Sequence, residues 1–306
     1  MEKDRNNKKT IKIEKGILNT SNIKQLQIIE NSPKEIFYKG NIDLLNKGII
    51  AVVGSRKPSK YAKNMCNIFV KKLIENGFVI ASGLAVGIDG LAHTTCIENG
   101  GKTIAVLAGG IDEIYPEENV QLAQSILETE GLIISEENFD TETNNKNFPI
   151  RNRIISGISM AVLVIESAYR SGSNITARYA KKQNKKLFAI PYNIGTKGIG
   201  GMRRLLELNA KLVYDPEQMI NEIGNIENKV KIDNMQKENF NKIKKQKLED
   251  DLFEIYKLLS NKPIDVNYIA RMTKKKIQNI NYSLVDLELR GYITKLPGNK
   301  YVINNE

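Results

Sequence analysis

The sequence contains few of the residues that bind metal ions or form disulfides. Its 306 residues include two cysteines, Cys66 and Cys96, a single histidine, His93, and no tryptophan. The cysteines lie in segments with a helical pattern and form no Cys-x-x-Cys motif, which disfavours a zinc site or a disulfide-stapled fold. One histidine also leaves no convincing Ser-His-Asp or Cys-His set. We therefore expect no metal ion and no catalytic residues.

Long hydrophobic runs are also missing. Basic residues occur near the N-terminus, among them Lys3 and Arg5, but no apolar stretch of signal-peptide length follows them. No segment approaches the roughly 20 apolar residues that a membrane-spanning helix requires. The sequence predicts a cytoplasmic protein without a membrane partner.

The usual motifs of nucleotide-binding enzymes are absent as well. There is no Gly-x-x-x-x-Gly-Lys-Ser/Thr loop, and the glycines of Ser82–Asp89 are spaced Gly-x-x-x-Gly rather than Gly-x-Gly-x-x-Gly. Asp89 is predicted to cap the following helix, and His93 is predicted to be a structural hydrogen-bonding group. We expect no bound cofactor and no enzymatic activity.

Positive charge, in contrast, is plentiful. Lysine and arginine number 46 against 35 aspartates and glutamates, which gives a formal net charge of +11. Such an excess favours a polyanionic partner such as nucleic acid. The abundance of Lys, Asn and Ile is also typical of an A/T-rich genome, which raises the lysine content without any partner. The positions of the charges are therefore more informative than their number.

Short apolar runs alternate with helical patterns from Ile49 onward. The runs cover residues 49–53, 78–81, 103–107, 132–134, 161–165, 187–190 and 212–214. Strands that are apolar at nearly every residue are buried on both faces, as in parallel sheets covered by helices. The pattern predicts a Rossmann-like α/β domain with a doubly wound, mostly parallel sheet over residues 47–223, after an irregular N-terminal extension and lead-in over 1–46.

The last part of the chain has a different composition. Residues 224–247 are rich in Asn, Lys, Gln and Glu with few large apolar side chains, and they predict a linker. Over residues 248–306, helical patterns at 252–259, 266–271 and 274–289 precede two β-rich runs joined by Pro297-Gly298-Asn299. Three helices followed by a β-hairpin are typical of a small winged-helix domain.

Turns that follow the predicted strands carry groups that bind anions. Gly54-Ser55-Arg56 follows the run at 49–53, and Ser171-Gly172-Ser173 follows the run at 161–165. Turn amides, hydroxyls and helix N-termini bind phosphate, and arginine adds paired hydrogen bonds. Each turn also has a simpler explanation, since Gly54 suits a tight turn and Ser173 suits a helix cap. Parallel strands end at one edge of a sheet, so we expect the turns to lie together.

The stretch Phe148–Arg153 places two arginines beside an aromatic ring at the start of a predicted helix. This combination offers phosphate contacts and a surface for base stacking. A solvated helix face would also explain the arginines, but Ile154 and Ile155 continue directly into a core pattern. Arg56 and Arg151 are predicted to contact phosphate and to be dispensable for folding.

A family resemblance rests on six segments: Val52–Arg56, Ser82–Asp89, Gly100–Leu107, Ile114–Asn119, Phe148–Ile155 and Ser171–Ala177. Through these segments the chain, from Ile50 to about Ile220, resembles the DNA processing protein A family, also called DprA or Smf. The resemblance implies a homodimer without enzymatic activity that binds single-stranded DNA, protects incoming DNA and loads RecA recombinase during natural transformation. The candidate DNA-binding residues are Gly54, Ser55, Arg56, Lys102, Phe148, Arg151, Asn152, Arg153, Ser171, Gly172, Ser173 and Arg203.

The sequence departs from the family pattern near the end of the resembling region. Tyr192 and Asn209 stand where the family usually has glycine, and Arg203 replaces an asparagine. Arg203 adds positive charge, which is why it belongs to the candidate site.

Two other functions fit parts of the sequence. Related Rossmann-like enzymes hydrolyse nucleoside monophosphates, but their Pro-Gly-Gly-x-Gly-Thr-x-x-Glu signature is not matched at Gly109-Gly110 or Gly200-Gly201. A transcription regulator would use the winged helix on duplex DNA and the α/β domain as a ligand sensor. The basic start of the third helix, Lys274–Lys276, would suit a groove of the duplex.

Overall fold

Residue contacts divide the chain into two units, with the boundary after Gly224. The computed structural model describes residues 13–27, 29–196, 198–224, 250–259 and 263–304. No helix within these ranges is long and apolar enough to cross a membrane.

The first unit alternates strands and helices. Its strands are β1 (Lys15–Asn19), β2 (Glu35–Gly40), β3 (Ile49–Val53), β4 (Val79–Ser82), β5 (Thr103–Leu107), β6 (Leu132–Ser135), β7 (Ala161–Val164), β8 (Lys186–Ala189) and β9 (Lys211–Leu212). Its helices are α1 (Lys24–Gln27), α2 (Lys60–Glu75), α3 (Ile88–Glu98), α4 (Val120–Glu128), α5 (Asn147–Ile158), α6 (Ser173–Lys182), α7 (Ile199–Glu207) and α8 (216–224).

The strands form one sheet in the order β1-β2-β6-β5-β4-β3-β7-β8-β9. In this spatial order, the seven strands from β6 to β9 pair in parallel. The pairs β1-β2 and β2-β6 are antiparallel. The chain builds outward from β3 to β6 and then returns to place β7 on the other side of β3. Such a reversal of strand order is where doubly wound sheets bind ligands. The predicted Rossmann-like, mostly parallel fold is confirmed.

Strand β3 shows why the parallel strands could be predicted. Successive side chains of a strand point to opposite faces of the sheet. Ile49, Ala51 and Val53 join the core beneath α1, α5 and α6, and Ile50 and Val52 join the core beneath α2 and α3. Because helices cover both faces, every residue of β3 is buried and the apolar run is continuous.

The predicted irregular lead-in over residues 1–46 is wrong for β1 and β2. Strand β2 pairs antiparallel with β6, and β1 pairs with β2 to form the edge of the sheet. Side chains of β1 alternate between exposed and half-buried, and β2 has only Ile36 and Gly40 fully buried. A strand at an edge gives no continuous apolar run, so the pattern that indicated the inner strands was missing here. The predicted linker, 224–247, lies outside the described residues after Gly224.

The second unit is a winged helix. It consists of α9 (Asp250–Leu258), β10 (Ile264–Asp265), α10 (Val266–Thr273), α11 (Ile277–Leu289), β11 (Ile293–Leu296) and β12 (Lys300–Ile303), with the strands in the order β10-β12-β11. Ile255, Ile269, Ile280 and Leu284 are buried at its centre. The third helix begins at Ile277 rather than at Lys274, because Lys274 adopts a left-handed φ of 54° and ends α10.

Candidate nucleic-acid interface

A cavity of about 590 Å³ opens beyond the carboxyl ends of β3 and β7, at the reversal of strand order. We call it the switch cavity. Its walls come from the turn after β3, the segment from β4 into α3, α5 with the residues just before it, and the loop after β7. They include Gly54, Ser55, Arg56, Lys57, Ala85, Asp89, Asn145, Phe148, Arg151, Asn152, Arg170, Ser171, Gly172 and Ser173.

The turn after β3 packs closely against the start of α3, and glycines at two positions make this close approach possible. A Cβ atom at Gly54 would lie 2.7 Å from the Ile88 side chain, and one at Gly87, whose φ is +88°, would lie 2.3 Å from the Ser55 carbonyl oxygen. The Ile88 amide donates to that carbonyl at 3.1 Å, and the Lys57 amide donates to Ser55 Oγ at 3.1 Å. The start of α3 therefore fixes the turn that presents Arg56 and Lys57, both exposed, at the mouth of the cavity.

Arg151 forms part of the cavity wall and also part of the core. It is 5% exposed, and its Nη1 donates to the carbonyls of Val106 and, at 2.9 Å, Gly83. Burial lowers the pKa of Arg151 to about 10, with Asp89 opposing the shift and Arg56 adding to it, so the side chain stays cationic at neutral pH. Because its removal would take a donor from buried carbonyls, we now expect Arg151 to support folding, contrary to the expectation from the sequence.

Asp89 lies next to Arg151 and does not cap α3. Its Oδ2 accepts from the Gly83 amide at 3.1 Å, and the residue at the N-cap of α3 is Gly87. Burial raises the pKa of Asp89, and the charge of Arg151 opposes that rise. A Cβ at Gly83 would lie 2.5 Å from Arg151 Nη2 and 2.6 Å from Asp89 Oδ2, so glycine is required between the two side chains.

The ring of Phe148 is the aromatic surface of the cavity. The guanidinium carbon of Arg56 lies 5.3 Å from the ring centroid, and that of Arg151 lies 6.0 Å from it. The Phe148 ring is only half-buried. Arginine near an aromatic face is a common arrangement in proteins that stack nucleic-acid bases.

The loop after β7 ends at the N-terminus of α6, where free amides attract anions. Asn174 holds this loop, since its Nδ2 donates to the Ala168 and Tyr169 carbonyls at 2.9 and 3.0 Å. The hydroxyls of Ser171 and Ser173 are 2.8 Å apart. No atom lies within 4 Å of the Cβ position at Gly172, so the backbone is open on that side. The arrangement suits a phosphate group.

Three of the predicted residues, Lys102, Arg153 and Arg203, do not line this cavity. Lys102 directly precedes β5 and therefore lies at the amino ends of the parallel strands, away from the cavity. Its Nζ is 2.7 Å from Glu130 Oε2. Arg153 is buried, with Nη2 2.7 Å from Glu136 Oε1 and Nε donating to the Asn31 carbonyl at 2.9 Å. Residues i and i+2 of a helix point about 200° apart, so Arg151 and Arg153 cannot share one face.

The departures from the family pattern also lie outside the cavity lining. Arg203 projects from α7 and is 81% exposed, with Nε 3.5 Å from Glu207 Oε1. The ring of Tyr192 packs edge-on against Tyr61 at 5.2 Å, and a Cβ at Gly198 would lie 2.6 Å from it. Tyr192 therefore fills space beside α7.

Lys57 and Arg170 line the cavity but were missed from the sequence. Both are exposed neighbours of predicted residues, Arg56 and Ser171. Their position in strand-to-helix turns is the signal that could have indicated them.

His93 has the structural role expected from the sequence. It is fully buried, and its Nδ1 lies 2.7 Å from Thr103 Oγ1. Burial lowers the pKa of His93 to about 3, with a smaller contribution from the charge of Arg151, so the ring is neutral at pH 7. His93 does not line the switch cavity.

Comparisons with known proteins cover both units. The family model of DNA recombination-mediator protein A matches residues 18–224, and that of the DprA winged helix domain matches residues 244–299. Protein Smf of Escherichia coli is 36% identical over 90% of this chain and 73% of its own length.

Two solved structures are similar to about two thirds of this chain. DNA processing protein A from Streptococcus pneumoniae is 41% identical, with a TM-score of 0.62 over 65% of this chain and 69% of its own. The protein from Helicobacter pylori, whose structure gives insight into its single-stranded DNA binding mode, is 29% identical, with a TM-score of 0.62 over 69% of this chain and 95% of its own. With family models matched in order across both units, the chain belongs to the DNA recombination-mediator protein A family.

Proposed function

We propose that the switch cavity binds the phosphates and a base of single-stranded DNA. The observation that carries this proposal is the convergence of Arg56, Lys57 and Arg170 with the N-terminus of α6 around the ring of Phe148. Cations and helix amides hold phosphates of any sequence, and an aromatic ring accepts any base. In a duplex the bases are already stacked and paired, so an unpaired strand makes better use of the ring.

The wider role that we propose follows the family. A homodimer of this chain acts in the cytoplasm by binding rather than by catalysis, protects incoming single-stranded DNA and loads RecA recombinase onto it during natural transformation. Membership of the recombination-mediator family supports this role, as does the single-stranded DNA binding described for the Helicobacter pylori relative.

Equilibrium binding tests the DNA proposal. Fluorescence anisotropy would compare a labelled single strand with a duplex of the same sequence over a range of salt concentrations. We expect the single strand to bind more tightly, with log K falling against log salt by about 0.7 for each phosphate contact. Preference for the duplex, or an affinity independent of salt, would reject the proposal, and a duplex preference would point to the winged helix.

RecA loading needs a separate measurement. The rate of RecA filament formation on a single strand would be followed with and without this chain. We expect a faster rate with the chain present. An unchanged rate, measured under conditions in which the chain still binds the strand, would contradict loading while leaving DNA binding intact.

A further inference from the structure

A second cavity, of about 550 Å³, adjoins the switch cavity. The two share Arg56, Ala85 and Phe148 as wall residues. The remaining walls of the second cavity are Val86, Tyr115, Pro116, Glu117 and Glu118. Its volume lies within the range of small-molecule sites, and it has room for a nucleobase.

Aromatic rings form one side of this cavity. Tyr115 and Phe148 lie 5.9 Å apart between centroids, with their planes tilted by 57°. Tyr115 is 55% exposed, so much of its ring is available for contact. Exposed rings of this kind bind flat, partly apolar groups by stacking.

Two glutamates also line this cavity, on a backbone that hydrogen bonds and packing hold in place. Glu117 and Glu118 belong to a 3-10 turn, Glu117–Asn119, and Asn119 Nδ2 donates to the Leu84 carbonyl at 2.8 Å. Ile114, just before the turn, packs against the core around Leu84. Both glutamates are exposed, and within the described ranges no hydrogen bond or ion pair occupies either carboxylate.

We propose that the second cavity is a nucleobase subsite that prefers bases with an exocyclic amino group. This inference rests on the proposed binding of single-stranded DNA. Carboxylates accept hydrogen bonds from amino groups such as cytosine N4, whereas thymine presents a carbonyl oxygen at the same position, which a carboxylate repels. Glu117 and Glu118 also repel phosphates, so the sugar-phosphate backbone stays beside Arg56, Lys57 and Arg170 while a base enters the cavity.

A cationic side chain of a partner protein is the main alternative occupant, because carboxylates and aromatic rings both attract cations. The wall shared with the switch cavity disfavours it. Arg56 lines both cavities, and its positive charge would repel a second cation. A strand bound in the switch cavity, in contrast, places the base of a neighbouring nucleotide close to Tyr115.

The test compares oligo(dC) with oligo(dT) of equal length on the full chain, by fluorescence anisotropy at pH 8. The two bases differ at position 4, at N3 and in the thymine methyl group, so the comparison of wild type with variant, rather than the wild-type ratio alone, isolates the contribution of the carboxylates. We expect the wild-type chain to bind oligo(dC) about 5- to 10-fold more tightly. In the double variant Glu117→Gln, Glu118→Gln this ratio should fall to about 1 or below, because an amide donates to the thymine carbonyl as readily as it accepts from cytosine.

The ratio separates base preference from general electrostatics, because removal of two negative charges raises the affinity for both strands. The control variant Glu35→Gln, Glu98→Gln changes the net charge equally at exposed glutamates outside both cavities, and it should retain the wild-type ratio.

Each other outcome has a distinct meaning. Binding of both strands with a wild-type ratio near 1, or a ratio that the Glu117 and Glu118 changes leave untouched, overturns the subsite and leaves the proposed function standing. A lysine-rich peptide that binds the wild type and not the double variant would instead assign the cavity to a protein partner. Failure to bind either strand would overturn the proposed function itself.

Discussion

Arg56 and Arg151 line the same cavity but hold different positions in the fold. Arg56 is exposed, so Arg56→Ala should weaken single-strand binding about 10-fold through loss of a charge-assisted contact and leave the melting temperature unchanged. Arg151→Ala should weaken binding and also lower the free energy of unfolding by about 2 to 4 kcal/mol, because two buried carbonyls lose their donor. Anisotropy and thermal unfolding on both variants check this. Equal melting temperatures would contradict the structural role of Arg151.

His93 should make the first unit sensitive to acid. The folded chain protonates this ring only near pH 3, whereas the unfolded chain does so near 6.5, so the free energy of unfolding falls as the pH drops below 6.5. The slope is about 1.4 kcal/mol per pH unit. Urea unfolding at pH 6.5 and pH 5 should show the wild type losing about 2 kcal/mol more than His93→Gln. Parallel losses in the two proteins would contradict the buried, neutral state of His93.

Residue identity predicted the chemistry of the site better than its geometry. Gly54, Arg56 and Ser171 were indicated because they follow apolar runs, and parallel strands end at one edge. Composition could not predict that Arg151 lines the cavity whereas Arg153 pairs with Glu136. This difference depends on which carbonyls and carboxylates the fold brings to each side of α5, and on the fact that i and i+2 face apart.

At the scale of elements, the β1-β2 pair completes the core. Ile36 and Leu26 are fully buried, and β2 covers the edge of β6. A chain that begins at Lys47 should therefore lose several kcal/mol of stability and aggregate, since it uncovers apolar surface and an unpaired strand edge. Thermal unfolding and light scattering would compare it with a chain that begins at Ile13. Wild-type stability of the shorter chain would show that the pair is peripheral.

Strands were predictable where both faces are buried and were missed where one face meets solvent. Ile49–Val53 is uninterrupted, but β1 alternates around Gly16, whose Cβ position lies 2.9 Å from the Tyr38 ring. Pairing partners distant in sequence stabilise such edge strands, so local pattern carries little information about them.

For the whole molecule, contacts that divide after Gly224 predict two independent units. A chain that ends at Gly224 should unfold cooperatively and bind a single strand within about threefold of the full chain, because the whole lining of the switch cavity precedes that residue. Calorimetry and anisotropy provide the measurements. Loss of cooperative unfolding, or of most of the affinity, would mean that the winged helix contributes to the same site.

The pairing of β3 with β7 has a consequence for the timing of assembly. Arg56 and Arg170 reach the switch cavity from turns far apart in the sequence, and four strands fold between them in chain order. During synthesis, a nascent chain that ends after β6 still lacks α5 and the loop after β7, and with them most of the residues that line the cavity. Once β7 has docked, a ligand at 100 times its Kd adds about 2.7 kcal/mol to the folded state. A DNA strand bound there would therefore stabilise the pairing of β3 with β7, which joins the two halves of the sheet.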